Sequence, residues 1–502
     1  MRETPPVARE VEPSDAGQRA RAVRILAIDQ GTSATKAVVF GEDGDMVTSV
    51  EAAVTPVAVP GGGVEQDPVQ LWESVCEAGR EAVARAGKGV TAVGFANQGE
   101  TVLAWDRTTG RPLSTAMSWQ DRRAAAICHD MAGVADDLTR TTGLPLDPYF
   151  AAPKMTWLRR NVTGEGVVTT SDAWLLHRLT GSYVTDVTTA SRTLLLDLGT
   201  RTWSDEACAA FGLDAAELPE VVGCAQAIGA TDAFGPTLPI RGLSVDQQAA
   251  LVGEHCLEPG ESKCTYGTGA FLLANAGPRP VASSKGLAVS VAWQLGDAAA
   301  YCVDGQVYAA GAAIAWLQRW GFLRRTEDLD AVAGTVADSG GVQVVSALSG
   351  LGAPWWQPDA LASIDGIGPG TEPAHVVRST MEGLAAQVTL LARAAAIDLG
   401  RPLALLRVDG GLTRSRVLMQ MQADLLQLPV EVASSPHATA AGVGALARLG
   451  AGDGRTLADV VRRDRPDARY EPVMGAVEAG ERLARFERAV ARVTRTPPFA
   501  AP

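Results

Sequence analysis

Three glycine-containing turns follow apolar runs along this chain: Asp29-Gln30-Gly31-Thr32-Ser33, Tyr266-Gly267-Thr268-Gly269 and Asp409-Gly410-Gly411. Glycine lets the backbone come close to a phosphate or a base, and Thr and Ser hydroxyls add donors. An acid at a strand end, as Asp29 is, can hold Mg2+ through water. Each turn alone also reads as an ordinary β-turn, but their recurrence in the two halves of the chain points to a site that handles phosphate. A fourth segment, Ser244-Val245-Asp246-Gln247-Gln248, sets a carboxylate and two amides ahead of an Ala/Leu helix. Asp246 is either a helix N-cap or a general base that takes a proton from a substrate hydroxyl as a phosphoryl group moves.

Such turns act together only if the strands that carry them converge. Val23 to Ile28 is a short apolar run, and Ala37 to Phe40 answers it after the small polar turn, a hairpin pattern. Glu42-Asp43-Gly44-Asp45 turns into a third strand, Met46 to Ala52. Asp67-Pro68 starts a helix reaching about Ala86, with Asp67 as N-cap and Pro68 in the first turn. Val90 to Ala96 is again a strand, so this half is α/β. The second half repeats the hairpin: Glu261 to Tyr266, the turn, then Ala270 to Ala274, with further strands at Ala288–Trp293 and Ala300–Val303. Helices fit Gly311–Trp320 and His375–Ala396; Val377, Met381, Leu384, Val388 and Leu391 of the latter share one face. Leu403 to Val408 is a buried strand, Glu481 to Arg492 a solvated helix, and the division between halves falls near Gly253.

The bulk numbers agree. A chain of 502 residues exceeds one ordinary hydrophobic core, so two or more domains are expected. A formal charge of −13 argues against nucleic acid and against anionic lipid. Seven scattered cysteines without a CxxC spacing, and five histidines without HExxH, favour neither disulfides nor zinc. Residues 1–22 are Pro-rich and charged, without the apolar centre of a signal peptide, and no run approaches the length of a membrane span. The expectation is a cytoplasmic protein with reduced thiols.

Longer stretches carry a resemblance. They are Gly63-Val64-Glu65-Gln66-Asp67-Pro68, Asn97-Gln98-Gly99-Glu100-Thr101, Trp119-Gln120-Asp121-Arg122-Arg123, Asp147-Pro148-Tyr149-Phe150, Lys154-Met155-Thr156-Trp157, Ala190-Ser191-Arg192-Thr193, Asp246-Gln247-Gln248-Ala249-Ala250 and Gly350-Leu351-Gly352-Ala353-Pro354, beside the three turns. In this order they resemble the FGGY carbohydrate kinases, most of all the glycerol kinases, from about Ile25 to Leu446. The resemblance implies two ribonuclease-H-like domains, of the actin/hexokinase/Hsp70 ATPase type, around a central cleft that closes to exclude water. The implied division is a disordered extension at 1–22, an N-terminal domain at 23–253, a C-terminal nucleotide domain at 254–492 and a flexible tail at 493–502.

It also implies roles. Asp246 is the base, and Asp29 positions Mg2+ together with Asp246; Thr32, Ser33 and Lys36 line the first phosphate turn and Thr268 the second; Gly311 and Gly411 border ATP. Glu100, Tyr149, Asp246 and Gln247 touch a small polyol or sugar, with Trp119 as an apolar wall. Several positions depart from the glycerol kinase pattern. Gly99 stands for an Arg, Val245 for a Gly, Ala151 for a Ser, Lys36 for an Arg, and Ala315 and Ser415 for amides near the adenine. Read without the resemblance, Trp119 is a core residue, Glu100 an exposed carboxylate and Tyr149 a turn aromatic. Trp355-Trp356 suits inter-domain packing, and His255, His375 and His437 lack a ligand-like spacing.

Three functions compete on these residues. The favoured one is ATP-dependent phosphorylation of a polyol hydroxyl, glycerol leading. The second is the same chemistry on a tetritol, a pentitol or a ketose such as dihydroxyacetone. The third is an actin-like ATPase, a nucleotide-dependent binding module or a regulatory protein with a degenerate cleft. The sequence leaves oligomeric state open, a homo-oligomer included.

Overall fold

The computed structural model describes residues 24–494; the extension at 1–22 and most of the expected tail lie outside the described residues. The first apolar run becomes β1 (Arg24–Gln30), which turns into β2 (Ala34–Phe40) and then β3 (Met46–Ala53), an antiparallel meander. Ile25, Leu26, Ala27 and Ile28 are all fully buried, because helices cover both faces of the sheet. One cover is α1 (Pro68–Ala86), where the Asp67 side chain accepts from the Val69 N–H at 2.9 Å and Leu71, Val75, Ala78 and Ala82 face inward. Next, β4 (Val90–Asn97) lies parallel beside β1, and β5 (Leu238–Val245) parallel beside β4. A second, five-stranded sheet takes two strands from before α1 (Val57–Val59 and Gly63–Gln66) and three from the long segment between β4 and β5, which also holds the helices Ala151–Asn161 and Ser171–Thr180. β5 runs directly into α2 (Asp246–Gly253).

The second half repeats this plan. β6 (Ser262–Tyr266) and β7 (Ala270–Gly277) form the hairpin, and β8 (Ala298–Val307) continues it antiparallel. After α3 (Gly311–Arg319) and the buried α4 (Pro373–Asp398), β9 (Leu406–Asp409) inserts parallel beside β6. Each main sheet is therefore built on an antiparallel triplet with parallel strands added on the side of its first strand; in the second sheet a further antiparallel strand, Ala288–Leu295, flanks the triplet. The fold is two α/β units of the actin and hexokinase type, as expected. The C-terminal helix is longer than the sequence suggests, Ala476–Thr494.

One helix crosses the sequence boundary. α5 (Ala438–Gly450) follows the second sheet, yet it packs on β1, β4 and β5 of the first and against α2. The approach is close enough to require glycine: a Cβ on Gly442 would stand 1.8 Å from the Ala249 carbonyl oxygen, and one on Gly253 2.0 Å from that of Ala438. Since α2 also touches β6 and β7, this helix pair joins the two sheets. A boundary at Gly253 separates the sheets but not their helices.

Candidate active site

The three turns converge on one cavity of about 370 Å3 between the two halves. Asp29 ends β1 opposite Lys36 of β2, and the turn between them presents Thr32 and Ser33. In the second half Thr265 on β6 sits opposite Asp409 on β9, which brings the Gly267-Thr268 turn beside Gly410-Gly411. Gly410 has φ +95°, and a Cβ there would stand 2.4 Å from the Tyr266 carbonyl oxygen, so only glycine fits. A Cβ on Gly411 would meet nothing within 4 Å, which leaves room beside it.

Of the residues singled out in sequence, Asp29, Thr32, Ser33, Lys36, Glu100, Trp119, Tyr149, Asp246, Gln247, Thr268 and Gly411 all line this cavity. Gly311 does not line it. It opens α3 behind the second turn, its N–H donating to the Gly267 carbonyl at 3.0 Å. Ser415 caps the Arg416–Leu426 helix, accepting from the Leu418 N–H at 3.1 Å.

Asp246 is not the N-cap that one of its sequence readings made it. Val245 occupies the N-cap position, and Asp246 is the first helical residue, its carboxylate accepting from the Gln247 N–H at 2.7 Å. Burial pushes the Asp246 carboxyl up to about 6, helped by the charge of Asp29 and opposed by Lys263. Asp29 is also pushed up to about 6, by burial and by Asp409 and Glu51, with Lys36 opposing. Lys263 reaches from β6 to the Gln247 side-chain oxygen at 2.6 Å, which aligns that amide.

The other end of the cavity is walled by rings. Trp119 meets Tyr149 edge-on at 5.9 Å and Phe271 at 5.6 Å, and its indole N–H donates to Thr32 Oγ1 at 2.8 Å. That bond ties the wall to the first turn. Tyr149 is held from below by Lys154, whose buried ammonium donates to the carbonyls of Pro148 at 2.9 Å and Phe150 at 2.7 Å. Burial lowers Lys154 to about 8, against the pull of Glu100. Glu100 takes a left-handed backbone, φ +57°, uncommon outside glycine and costly enough to need support from its surroundings. Arg192 gives that support, its Nε donating to Glu100 at 2.7 Å.

The comparisons agree with this geometry. The model of the N-terminal domain of the FGGY family of carbohydrate kinases matches residues 24–253, and that of the C-terminal domain matches 262–451. The chain belongs to the FGGY family of carbohydrate kinases. Like the rest of that family, it is a phosphotransferase with an alcohol group as acceptor. It is 42% identical to the glycerol kinase of Thermus brockianus, over 93% of this chain and 98% of the relative. To the glycerol kinase of Alkalilimnicola ehrlichii it is 40% identical over the same shares. A crystal structure of Plasmodium falciparum glycerol kinase with ADP superposes with a TM-score of 0.85 at 31% identity, covering 94% of this chain and 98% of that one. The ligand-bound xylulose kinase of Lactobacillus acidophilus, at 21% identity, 95% and 99% coverage and a TM-score of 0.85, shares the fold.

Sequence reasoning missed several cleft residues of this FGGY kinase: Phe271, Arg192, Asp304, Gln306 and Lys263. Arg192 lay inside the quoted Ala190–Thr193 stretch, and Phe271 directly after the second turn. Asp304 and Gln306 carry no local signal; they alternate along a strand that reads only as buried. The departures at positions 99 and 245 prove to be neighbours, because a Cβ on Gly99 would stand 2.9 Å from Val245 Cγ2.

Proposed function

We propose that the chain transfers the γ-phosphate of MgATP to a hydroxyl of a small polyol, with glycerol as acceptor and sn-glycerol 3-phosphate as product. One observation carries the reading: a single cavity holds Glu100, Trp119 and Tyr149 at one end and the glycine turns at the other, with Asp246 lining it at the first residue of α2. The aromatic wall packs the acceptor's carbons, while Glu100 and Gln247 hold its hydroxyls. Asp246 accepts the proton of the attacking hydroxyl. The Thr32-Ser33 and Gly267-Thr268 turns and Lys36 hold the phosphates in line for attack and spread the charge that develops.

The carboxylates suit Mg2+. Asp29, Asp246 and Asp409 line the cleft, and one oxygen of Asp409 is buried without a protein partner. Among the described residues no group of three or more His, Cys, Asp or Glu could by itself hold a metal. Mg2+ takes one or two carboxylates and completes its shell with phosphate oxygens and water. When bound, Mg2+ neutralises charge on the β- and γ-phosphates. Asp29 is the residue that positions it.

The test is ATP turnover with Mg2+ against glycerol, tetritols, pentitols, dihydroxyacetone and other ketoses. Glycerol as the preferred acceptor supports the reading. Preference for another acceptor keeps the chemistry and changes the substrate. ATP hydrolysis that no polyol or sugar stimulates overturns it in favour of an ATPase or binding module. Among the described residues no helix is long and apolar enough to cross a membrane.

A further inference from the structure

The acceptor end contains a cation that the mechanism above does not use. Arg192 is 4% exposed and spends two of its three nitrogens on carboxylates from opposite halves of the chain. Its Nε donates to Glu100 at 2.7 Å, three residues past β4, and its Nη1 donates to Asp304 at 2.7 Å, on β8. Nη1 also reaches Ser290 at 3.5 Å. Among the described residues Nη2 donates to no protein atom, although Arg192 lines the same cavity as Glu100 and Tyr149. The guanidinium carbon lies 5.8 Å from the Tyr149 ring centre and 5.2 Å from that of Phe150.

Its surroundings extend the polar surface. The second oxygen of Asp304 accepts from the Gln306 amide, which also lines the cleft, and the Gln306 amide oxygen is buried without a partner. By contrast, neither Gly99 nor Val245 carries a side-chain donor, and the Val245 methyl stands where a side chain at position 99 would begin. Nη2, unlike the Gln306 amide oxygen, keeps some exposure, so its N–H group is free to meet a ligand in the cavity.

We propose that Arg192 is a substrate-binding and specificity-determining residue: its Nη2 donates to an acceptor hydroxyl other than the one phosphorylated, while Glu100 and Asp304 hold the guanidinium in place. The inference rests on the reading of the cleft as a polyol kinase site and names the group that selects the polyol. Because Asp304 comes from the second half, the donor is set in position only when both halves contribute. No bond is made or broken by Arg192, which binds and orients.

The experiment is a group-deletion comparison. Wild type, Arg192→Lys and Arg192→Met are assayed with the polyol that wild type phosphorylates best, glycerol on the present reading, and with its mono-deoxy analogues, 1,2-propanediol and 1,3-propanediol. Wild type is expected to favour glycerol by about 10- to 100-fold in kcat/KM over the diol that lacks the Arg192-bound hydroxyl, the discrimination of a charged hydrogen bond. In Arg192→Lys and Arg192→Met that advantage should fall to within about threefold, with the KM for ATP unchanged. A residue that only braces the fold would lower turnover on all acceptors alike and leave the ratios intact. Unchanged ratios for both diols in folded Arg192→Lys overturn the inference, whether or not Arg192→Met folds. Wild type without activity on any polyol defeats the function and this inference together, whereas an active wild type with unchanged ratios defeats this inference alone.

Discussion

The two ends of the cleft treat charge in opposite ways. At the acceptor end the charges are matched within the protein: Arg192 joins Glu100 and Asp304, and Arg122 pairs with Asp147 at 3.2 Å. At the phosphate end Asp29, Asp246, Asp409 and Glu51 line the cavity with Lys36, and Lys263 approaches through Gln247. Burial pushes Asp29 and Asp246 both up to about 6, and neighbouring carboxylates add to it against the opposing pull of Lys36 and Lys263. On the proposed function, the matched end would take the neutral polyol and the unmatched end a cation that arrives with the nucleotide.

The comparison breaks most sharply at the base. Asp246→Asn should lower kcat by about 10³- to 10⁴-fold while nucleotide binding, measured by calorimetry, persists. Near wild-type turnover in that variant would remove Asp246 from the mechanism. Asp29→Asn should lower kcat/KM by about 10²- to 10³-fold and raise the Mg2+ concentration needed for half-maximal rate. If the unmatched charge is the reason, the same variant should melt higher than wild type in ligand-free buffer at pH 8, by roughly 1–4 °C.

The sign follows from linkage. The folded carboxyl of Asp29 holds its proton more tightly than the unfolded one, about 6 against 3.8, so its contribution to stability is fully present below 3.8 and is lost as pH rises through about 6. Asn removes that loss. An equal or lower melting point at pH 8 would mean that Asp29 is paired in the ligand-free protein. For activity, kcat/KM should rise with pH through about 6 as the pair loses a proton, and level off above it. A profile flat from pH 5 to 8 contradicts the unmatched-charge account.

The smallest effect tests the apolar wall. Gly99→Ala places a methyl 2.9 Å from Val245 Cγ2 and should cost about 1–2 kcal/mol of stability, largely recovered in Gly99→Ala with Val245→Ala. Additive effects in that cycle, read from urea melts, would show that the two sites do not touch.

Much of the fold was legible locally. The hairpins around Gly31 and Gly267 announced themselves as apolar runs split by small polar turns, and Asp67-Pro68 marked the start of α1. Those signals live within a few residues of one another, where backbone preference and capping decide. The same is true of most of the expected site, since the glycine turns and the Asp246 segment are contiguous motifs. Gly311 was legible as a glycine at a helix start, but its place behind the turn depends on how α3 meets β6, which no local pattern records.

What lay beyond the sequence are the contacts between halves. That α5 would return to the first sheet, that Val245 would fill the space beside Gly99, and that Arg192 would join Glu100 to Asp304 all link residues far apart in the chain. Sequence by itself determined the family, the two α/β units and the phosphate turns, because these are written in short stretches whose backbone chemistry is self-contained. Tertiary structure alone decided which charges are matched and which are left for a ligand, because matching depends on side chains that meet only when the two sheets close on one cleft.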